Sequence, residues 1–331
     1  MSKINKIINI GIVGLGQVGI YLYNELKIKT KQIENKTGKK IRLVAISAKN
    51  INKKRRFKID KKIFYSNPLE IFNEKKIDIL FECIGLTDGI SKKIVEKALI
   101  NKINVITPNK ALIAKHGDYL ANLAEKNKVN LEFEASVCGG VPIIRSLKEG
   151  LIANKINKVY GIFNGTSNYI LSSMDKNKKN FNDVLYTAKK LGYAESNPIS
   201  DLNGQDVAAK LKILSSLCFS SFLNNKIHIE GIKFIDKVDI DNANKLGYKI
   251  KLLGVSEIIN KKIYQRVHPT MITKNSYIAS IDGVLNAVII NGKPVGESVI
   301  QGEGAGPEAT TSALVSDISS ILRGNIKYPF A

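Results

Sequence analysis

The 331-residue sequence predicts an α/β fold: an N-terminal doubly wound parallel sheet followed by a second, α+β lobe. Three observations carry this. Short apolar runs alternate with helical patterns from the N-terminus to about Ala135, the pattern of parallel strands joined by crossover helices. A glycine loop, Gly14-Leu15-Gly16-Gln17-Val18-Gly19, separates the first apolar run from the first helical pattern. After "SVCGGVPIIRSL" the alternation stops, and helices give way to a strand-rich stretch from Ile227 to Ile290. A chain of this length is also long for a single core.

In order, "KIINIGIV" (Lys6–Val13) is a short apolar strand, and the helix after the glycine loop has Val18, Tyr21, Leu22 and Leu26 on one face. "IRLVAIS" (Ile41–Ser47), "IDILFEC" (Ile77–Cys83) and "NVITP" (Asn104–Pro108) are the next strands, and "VNLEFEA" (Val129–Ala135) closes the series. Helical patterns over Gly89–Asn101 and Asn109–Asn127 separate the later strands. In the second lobe, "KINKVYGIFNGTSNYILSSM" (Lys155–Met174) reads as strand, tight turn and helix. Helices follow over Phe181–Leu191 and Asn203–Phe219, then strand-like runs such as "KKIYQRVHPTMI". A second glycine loop, "QGEGAGPEATTSALVSDIS" (Gln301–Ser319), leads into a final helix.

Composition excludes several classes. The longest apolar stretches are only a handful of residues, too short to cross a bilayer. The basic start lacks a small-residue cleavage site, so no signal peptide is expected. Cys83, Cys138 and Cys218 are few and scattered, which fits reduced thiols in a cytoplasmic protein. The formal charge of +22 would permit nucleic-acid binding. However, the lysines are spread through the chain, and the densest cluster, "KNINKKRRFKIDKK" (Lys49–Lys62), lacks the interleaved aromatics that stack bases. A solvated basic surface without a nucleic-acid or membrane partner is therefore expected.

Gly14, Gly16 and Gly19 follow a strand and open a helix, which gives the G-x-G-x-x-G pattern its mechanism. The first glycine permits the tight turn, the second lets backbone approach a pyrophosphate, and the third allows close helix–strand packing. The helix N-terminus, with Gln17 and Val18, offers N–H groups to phosphate. The second strand ends in "AISAKN", with no acid to bind a ribose 2′-hydroxyl and with Lys49, Lys53, Lys54 and Arg55 close by. Basic groups suit a 2′-phosphate, so NADP is the expected cofactor, with NAD as a second possibility. "CIGLTDG" (Cys83–Gly89), including Gly85, follows the third strand at the carboxyl edge, where cofactors lie. Lys110 in "TPNKALIAKHG" opens a helix, where a cation opposes the dipole by up to about 1 kcal/mol. That conflict marks Lys110 as a candidate functional residue.

"SDLNGQDVAAK" (Ser200–Lys210) sets Asp206 and Lys210 four residues apart on one helix. Val207, Leu211, Leu214 and Cys218 form its buried stripe, with the two charged residues at the border, able to reach a cleft. Such i,i+4 pairs on a surface contribute only about 0.2–0.5 kcal/mol, so spacing alone leaves structural and catalytic roles open.

Over nearly its whole length the chain resembles homoserine dehydrogenase. The segments that carry the resemblance are "GIVGLGQVG", "TPNKALIAKHG", "FEASVCGGVPIIRSL", "GIFNGTSNYIL", "LGYAESNPISDLNGQDVAAKLKIL" and "GEGAGPEATTSALVSDI". The resemblance implies reversible NAD(P)H-dependent reduction of L-aspartate 4-semialdehyde to L-homoserine, at the branch to threonine, isoleucine and methionine. It implies a Rossmann-type domain over 1–135, completed by the C-terminal helix 305–331, and a catalytic and dimerisation domain over 136–304. Lys210 would be the proton donor. Asp206 and Glu195 would bind the substrate's amino and hydroxyl ends, helped by Asp201, with Thr166 of "NGTSN" lining the pocket. Lys110 would sit between nicotinamide and substrate, and Gly302 would contact the cofactor. A monovalent cation, sodium, would lie on Glu134 and the carbonyls of Val137, Gly139 and Val141. A homodimer is also implied.

Two departures from the family pattern follow. The chain ends at "NIKYPFA" where longer members continue into an ACT domain, so threonine feedback through such a domain is not expected. The family often has arginine where this chain has Lys49, which keeps the charge but not the planar fork, and weaker NADP affinity is expected. Two other readings remain open. One is a cysteine-dependent aspartate-semialdehyde dehydrogenase using Cys138, although His116, His228 and His268 offer it no obvious base. The other is a non-catalytic basic protein that binds NADP or nucleic acid.

Overall fold

In the computed structural model, which describes residues 7–74, 76–219, 226–324 and 328–330, the chain divides into two units. One comprises Met1–Gly139 with Gly306–Ala331, the other Gly140–Ala305. Lys6, the first residue of the expected first strand, and 325–327 and 331 of the expected C-terminal segment lie outside the described residues. No described helix is long and apolar enough to cross a membrane.

The first unit holds six parallel strands: β1 (Ile7–Val13), β2 (Lys40–Ser47), β3 (Phe64–Tyr65), β4 (Ile79–Glu82), β5 (Asn104–Ile106) and β6 (Leu131–Glu132). Their order is β3-β2-β1-β4-β5-β6. The order reverses between β1 and β4, which opens a crevice at the carboxyl ends of these strands, where β1 delivers the glycine loop. Helix Gln17–Ile28 buries Gly19, Ile20, Leu22, Tyr23 and Leu26, whereas the expected face members Val18 and Tyr21 are half-exposed. Helix Pro307–Arg323 adds Leu314, Ile318 and Leu322 to the same core as Leu22 and Leu26.

The structure has elements that the apolar pattern does not reveal. Helix Thr30–Thr37 buries only Ile33, so it shows no periodicity, and Gly38 ends it at φ 67°. β3 pairs over two residues only. The expected strand Val129–Ala135 shrinks to Leu131–Glu132, because its one neighbour, β5, is itself three residues long.

The second unit is built on β7 (Lys155–Ile162), β8 (His228–Ile229), β9 (Tyr248–Ile259), β10 (Lys262–Thr273), β11 (Leu285–Lys293) and β12 (Gly296–Glu303). Their order is β12-β11-β7-β9-β10-β8, antiparallel except where β8 joins β10. Gly161 and Gly254 face each other across β7 and β9. A Cβ on either would stand 2.7 Å from the Phe163 ring, and one on Gly254 3.0 Å from Val207. This glycine pair therefore makes room for Phe163 and lets helix Gln205–Cys218 approach the sheet through Val207.

A lysine lies in the core of this unit. Lys251 on β9 is 1% exposed and donates to Asn168 Oδ1 (3.1 Å), the Ile281 carbonyl (2.5 Å) and Asp282 Oδ1 (2.7 Å). Burial lowers its pKa, opposed by the Asp282 carboxylate. Asn168 in turn donates to the carbonyls of Ile281 and Leu285, tying helix Gly165–Asn177 to the 281–285 loop.

Candidate active site

Helix Gln205–Cys218 starts two residues later than its sequence pattern suggests. Gly204, at φ 82°, turns the chain out of the short helix Ile199–Leu202, and Asn203 Oδ1 accepts the Gln205 N–H. Val207, Leu211, Leu214 and Cys218 are buried as expected. Asp206 and Lys210 are not at a wet border: they are 4% and 7% exposed. Lys210 Nζ donates to Asp206 Oδ2 at 2.7 Å and to the Phe163 carbonyl at 2.6 Å. The slot made by Gly161 and Gly254 seats Phe163, and so sets one acceptor that orients the ammonium, the Phe163 carbonyl.

Asn164 completes the cluster. Its Oδ1 caps helix Gly165–Asn177 by accepting the Ser167 N–H at 2.7 Å. Its Nδ2 is then directed at two carboxylates, Asp206 Oδ2 (2.9 Å) and Asp201 Oδ1 (2.8 Å). The structure thus brings Asp201, Asp206 and Lys210 together through a residue whose role the sequence does not display. An Asn before "GTS" is an N-cap signal, and that was the available clue. Thr166, two residues on, is buried, and its hydroxyl donates to the Tyr193 carbonyl at 2.7 Å. Glu195 is exposed.

In the first unit the three glycines differ in what surrounds them. A Cβ on Gly14, at φ 94°, would stand 2.5 Å from Cys83 backbone, and one on Gly19 1.9 Å from the Gly14 carbonyl oxygen. Both are needed for the strand–turn–helix packing itself. A Cβ on Gly16 would meet no described non-neighbouring atom within 4 Å, so this face of its backbone is open to a ligand. Gly16 and Gln17 line a cavity of about 500 Å³ together with Tyr21, Lys53, Lys54, Arg55 and Arg56, and no acid lines it. Val18 is half-buried beside it, and Lys49 is exposed but is not one of its walls. Arg56 donates to the Tyr21 hydroxyl and lies over the Tyr21 and Phe57 rings. An open glycine at a helix N-terminus beside unopposed cations fits a dinucleotide's phosphates.

The loop after β4 is anchored by a buried acid. Glu82 is fully buried; its Oε1 accepts the N–H groups of Ile84 (2.9 Å) and Gly85 (3.1 Å), and its Oε2 the Thr107 hydroxyl (2.7 Å). Gly85 itself is exposed at φ 87°. Burial and the Glu82 carboxylate push the Cys83 thiol well above its usual pKa. Lys110 is the first residue of helix Lys110–Asn127, capped by Asn109 Oδ1 at the Leu112 N–H (3.1 Å).

Of the residues expected to hold a cation, Glu134 is 3% exposed, and its N–H donates to Asp317 Oδ2 at 3.1 Å. Val137 is buried, and Cys138 and Gly139 follow at φ 52° and 23°. The Val141 carbonyl accepts the Ile143 N–H at 2.7 Å, which leaves one of its lone pairs for another partner. Gly302 lies on β12 opposite Asn286. Among the described residues no group of three or more His, Cys, Asp or Glu could hold a metal ion.

Enzymes that move a hydride to or from a nicotinamide combine such a glycine-loop unit with a second unit carrying acid–base groups, and this chain is an NAD(P)-dependent oxidoreductase acting on a CH–OH group. Residues 14–134 match the family model described as "Homoserine dehydrogenase, NAD binding domain", and residues 142–319 match that described as "Homoserine dehydrogenase". The chain belongs to the homoserine dehydrogenase family. It is 43% identical over 319 residues to homoserine dehydrogenase of Neisseria gonorrhoeae, covering 96% of this chain and 73% of that protein. The crystal structure of a homoserine dehydrogenase from Thiobacillus denitrificans has a TM-score of 0.92 at 37% identity, covering 98% of this chain and 77% of that one. A hyperthermophilic archaeal homoserine dehydrogenase mutant in complex with NADPH has a TM-score of 0.79 at 26% identity, covering 95% and 97%. Neither the Cys138-dependent enzyme nor the non-catalytic basic protein finds support in these relatives.

Proposed function

We propose that this chain reduces L-aspartate 4-semialdehyde reversibly to L-homoserine, with Lys210 as proton donor and Asp206 as substrate anchor. The observation that carries the reading is the buried Lys210–Asp206 pair, held by Asn164 and the Phe163 carbonyl. A bound nicotinamide supplies the hydride. As negative charge grows on the aldehyde oxygen, the oriented Lys210 ammonium stabilises it and transfers a proton to it. Asp206 binds the substrate's ammonium, with Asp201 beside it across Asn164 Nδ2. Exposed Glu195 is available to the same ammonium, and Thr166 holds the Tyr193 carbonyl at the edge of the turn. Lys110 supplies a second cation; its support is its costly place at a helix N-terminus.

NADP is the preferred cofactor in this reading, with NAD as a second. Gly14, Gly16, Gln17, Val18 and Gly19 hold the pyrophosphate, with Gly85 and Gly302 as further contacts. The 2′-phosphate is drawn to Lys49 and to the Lys53, Lys54, Arg55 and Arg56 wall. A sodium ion would be held by Glu134 and the carbonyls of Val137, Gly139 and Val141, an all-oxygen set suited to a hard cation. The family resemblance adds a homodimer and a cytoplasmic location, without a nucleic-acid partner.

The test is oxidation of L-homoserine at alkaline pH, followed by the absorbance of the reduced nicotinamide. Turnover is expected with NADP and more weakly with NAD. Absence of turnover with both would overturn the reading.

A further inference from the structure

A second cavity, of about 750 Å³, lies in the 51–62 loop and is walled by seven cationic side chains and one acid. Lys53, Lys54 and Arg55 line it as well as the cavity at the glycine loop. Lys58, Lys61 and Lys62 line only the second, as does Lys27. None of the seven forms an ion pair with a carboxylate among the described residues. The one acid, Asp60, accepts the Lys62 N–H at 2.9 Å and so caps its own turn. Arg55 is fixed on the loop carbonyls of Asn50 (2.7 Å), Lys53 (3.0 Å) and Ile51 (3.2 Å), while its Nε is buried without a partner.

We propose that this cavity is a binding site for a compact oligophosphate, a linear chain of three phosphates, distinct from the dinucleotide site. Cations that outnumber the acids on a concave wall raise the local anion concentration. Phosphate oxygens accept charge-assisted hydrogen bonds from both ammonium and guanidinium groups. The volume is that of a small-molecule pocket rather than of a duplex groove. An oligophosphate also matches the wall's net charge, seven cations against one acid, better than a single carboxylate would.

The shared wall makes the two sites compete. An oligophosphate on Lys53, Lys54 and Arg55 withdraws the charges that would otherwise meet a ribose 2′-phosphate. It therefore weakens NADPH and leaves NADH little affected. This coupling rests on the reading of the first cavity as the nucleotide-phosphate site; binding in the second cavity does not.

Calorimetric titration of the full chain with inorganic tripolyphosphate at physiological salt tests binding directly. Saturable binding is expected, weakened about tenfold or more in K58A/K61A/K62A, whose three side chains are exposed and leave folding intact. An ATP arm separates the sources: equal affinity means the phosphates alone are read, and tighter ATP binding means that the nucleoside adds to it. In turnover assays tripolyphosphate should raise the KM for NADPH and leave that for NADH within about twofold, and the triple variant should lose the effect. No saturable binding, undiminished binding by the triple variant, or binding only of duplex DNA would overturn the proposal. Binding without turnover would instead strike the dehydrogenase reading.

Discussion

The Asn164 amide and the Lys210 ammonium donate to the same oxygen, Asp206 Oδ2, at 2.9 and 2.7 Å. One carboxylate oxygen thus joins a helix cap on one element to the proposed proton donor on another. In N164D the cap acceptor survives, but the donor to Asp201 and Asp206 is replaced by a third carboxylate. We expect kcat to fall at least about tenfold, equivalent to ~1.4 kcal/mol. N164A loses the cap as well, with about 1 kcal/mol of stability. Steady-state kinetics beside thermal unfolding separates the two losses; wild-type kcat in both variants would remove Asn164 from the mechanism.

Lys210→Met keeps the length of the side chain and removes the charge. Asp206 would then be buried with one of its donors gone, and breaking a buried pair costs about 3–5 kcal/mol. Most of kcat should be lost while NADPH still binds, as read by its fluorescence, because the glycine loop lies in the other unit. Retained turnover in K210M would rule out the proton-donor role.

The glycine loop separates folding from binding. G19A places a Cβ 1.9 Å from the Gly14 carbonyl oxygen and should lower stability by roughly 1–3 kcal/mol. Gly16, at φ −72° with no atom near its missing Cβ, should accept alanine within about 0.5 kcal/mol. The same G16A change should raise the KM for the cofactor. Chemical denaturation and KM measurements on the two variants should give opposite patterns.

Arg56 lines only the cavity at the glycine loop and is exposed. R56A should raise the KM for NADPH about tenfold, ~1.4 kcal/mol, and that for NADH by less than half as much. Equal effects on both cofactors would place the 2′-phosphate elsewhere.

The Lys251–Asp282 pair gives the second unit an acid-sensitive contact. Burial alone would raise the Asp282 pKa, but the hydrogen bond and charge of Lys251, with Lys249 nearby, hold it below the usual carboxylate value. Its contribution is therefore complete above the unfolded value of about 3.9 and is lost as pH falls through the lower, folded value. Because Asp282 is half-exposed and solvent screens the pair, D282N should cost at most about 1 kcal/mol at neutral pH, and its Tm should converge on that of the wild type as pH drops below about 4. A gap that stays constant down to strongly acidic pH would refute the linkage.

Where function required residues of a given type at a given spacing, the sequence was readable. The strand–glycine–helix pattern placed Gly14, Gly16 and Gly19 because each has a local backbone reason. Asp206 and Lys210 were visible as an i,i+4 pair, but their burial was not. That depends on Gly161 and Gly254, each more than 40 residues away from both, which let Phe163 and the helix pack closely. Lys251 gave no signal at all, because a lysine in "YKIKLL" reads as a solvent-facing strand position. Its acceptors come from residues 168 and 281–282, contacts between distant segments that no local pattern encodes. Helix Thr30–Thr37 leaves no trace in the sequence for the opposite reason, having almost no apolar side to display.

Helix Pro307–Arg323 packs its Leu314, Ile318 and Leu322 into the core begun by β1 and helix Gln17–Ile28. A chain made from its N-terminus therefore emerges from the ribosome with that core open on one side. The whole 140–305 unit is synthesised while the opening waits. The nucleotide-binding unit is in this sense closed last although it is started first. An interrupted or slowed translation after the second unit would leave a complete glycine loop on a sheet with exposed apolar residues, a natural substrate for chaperones.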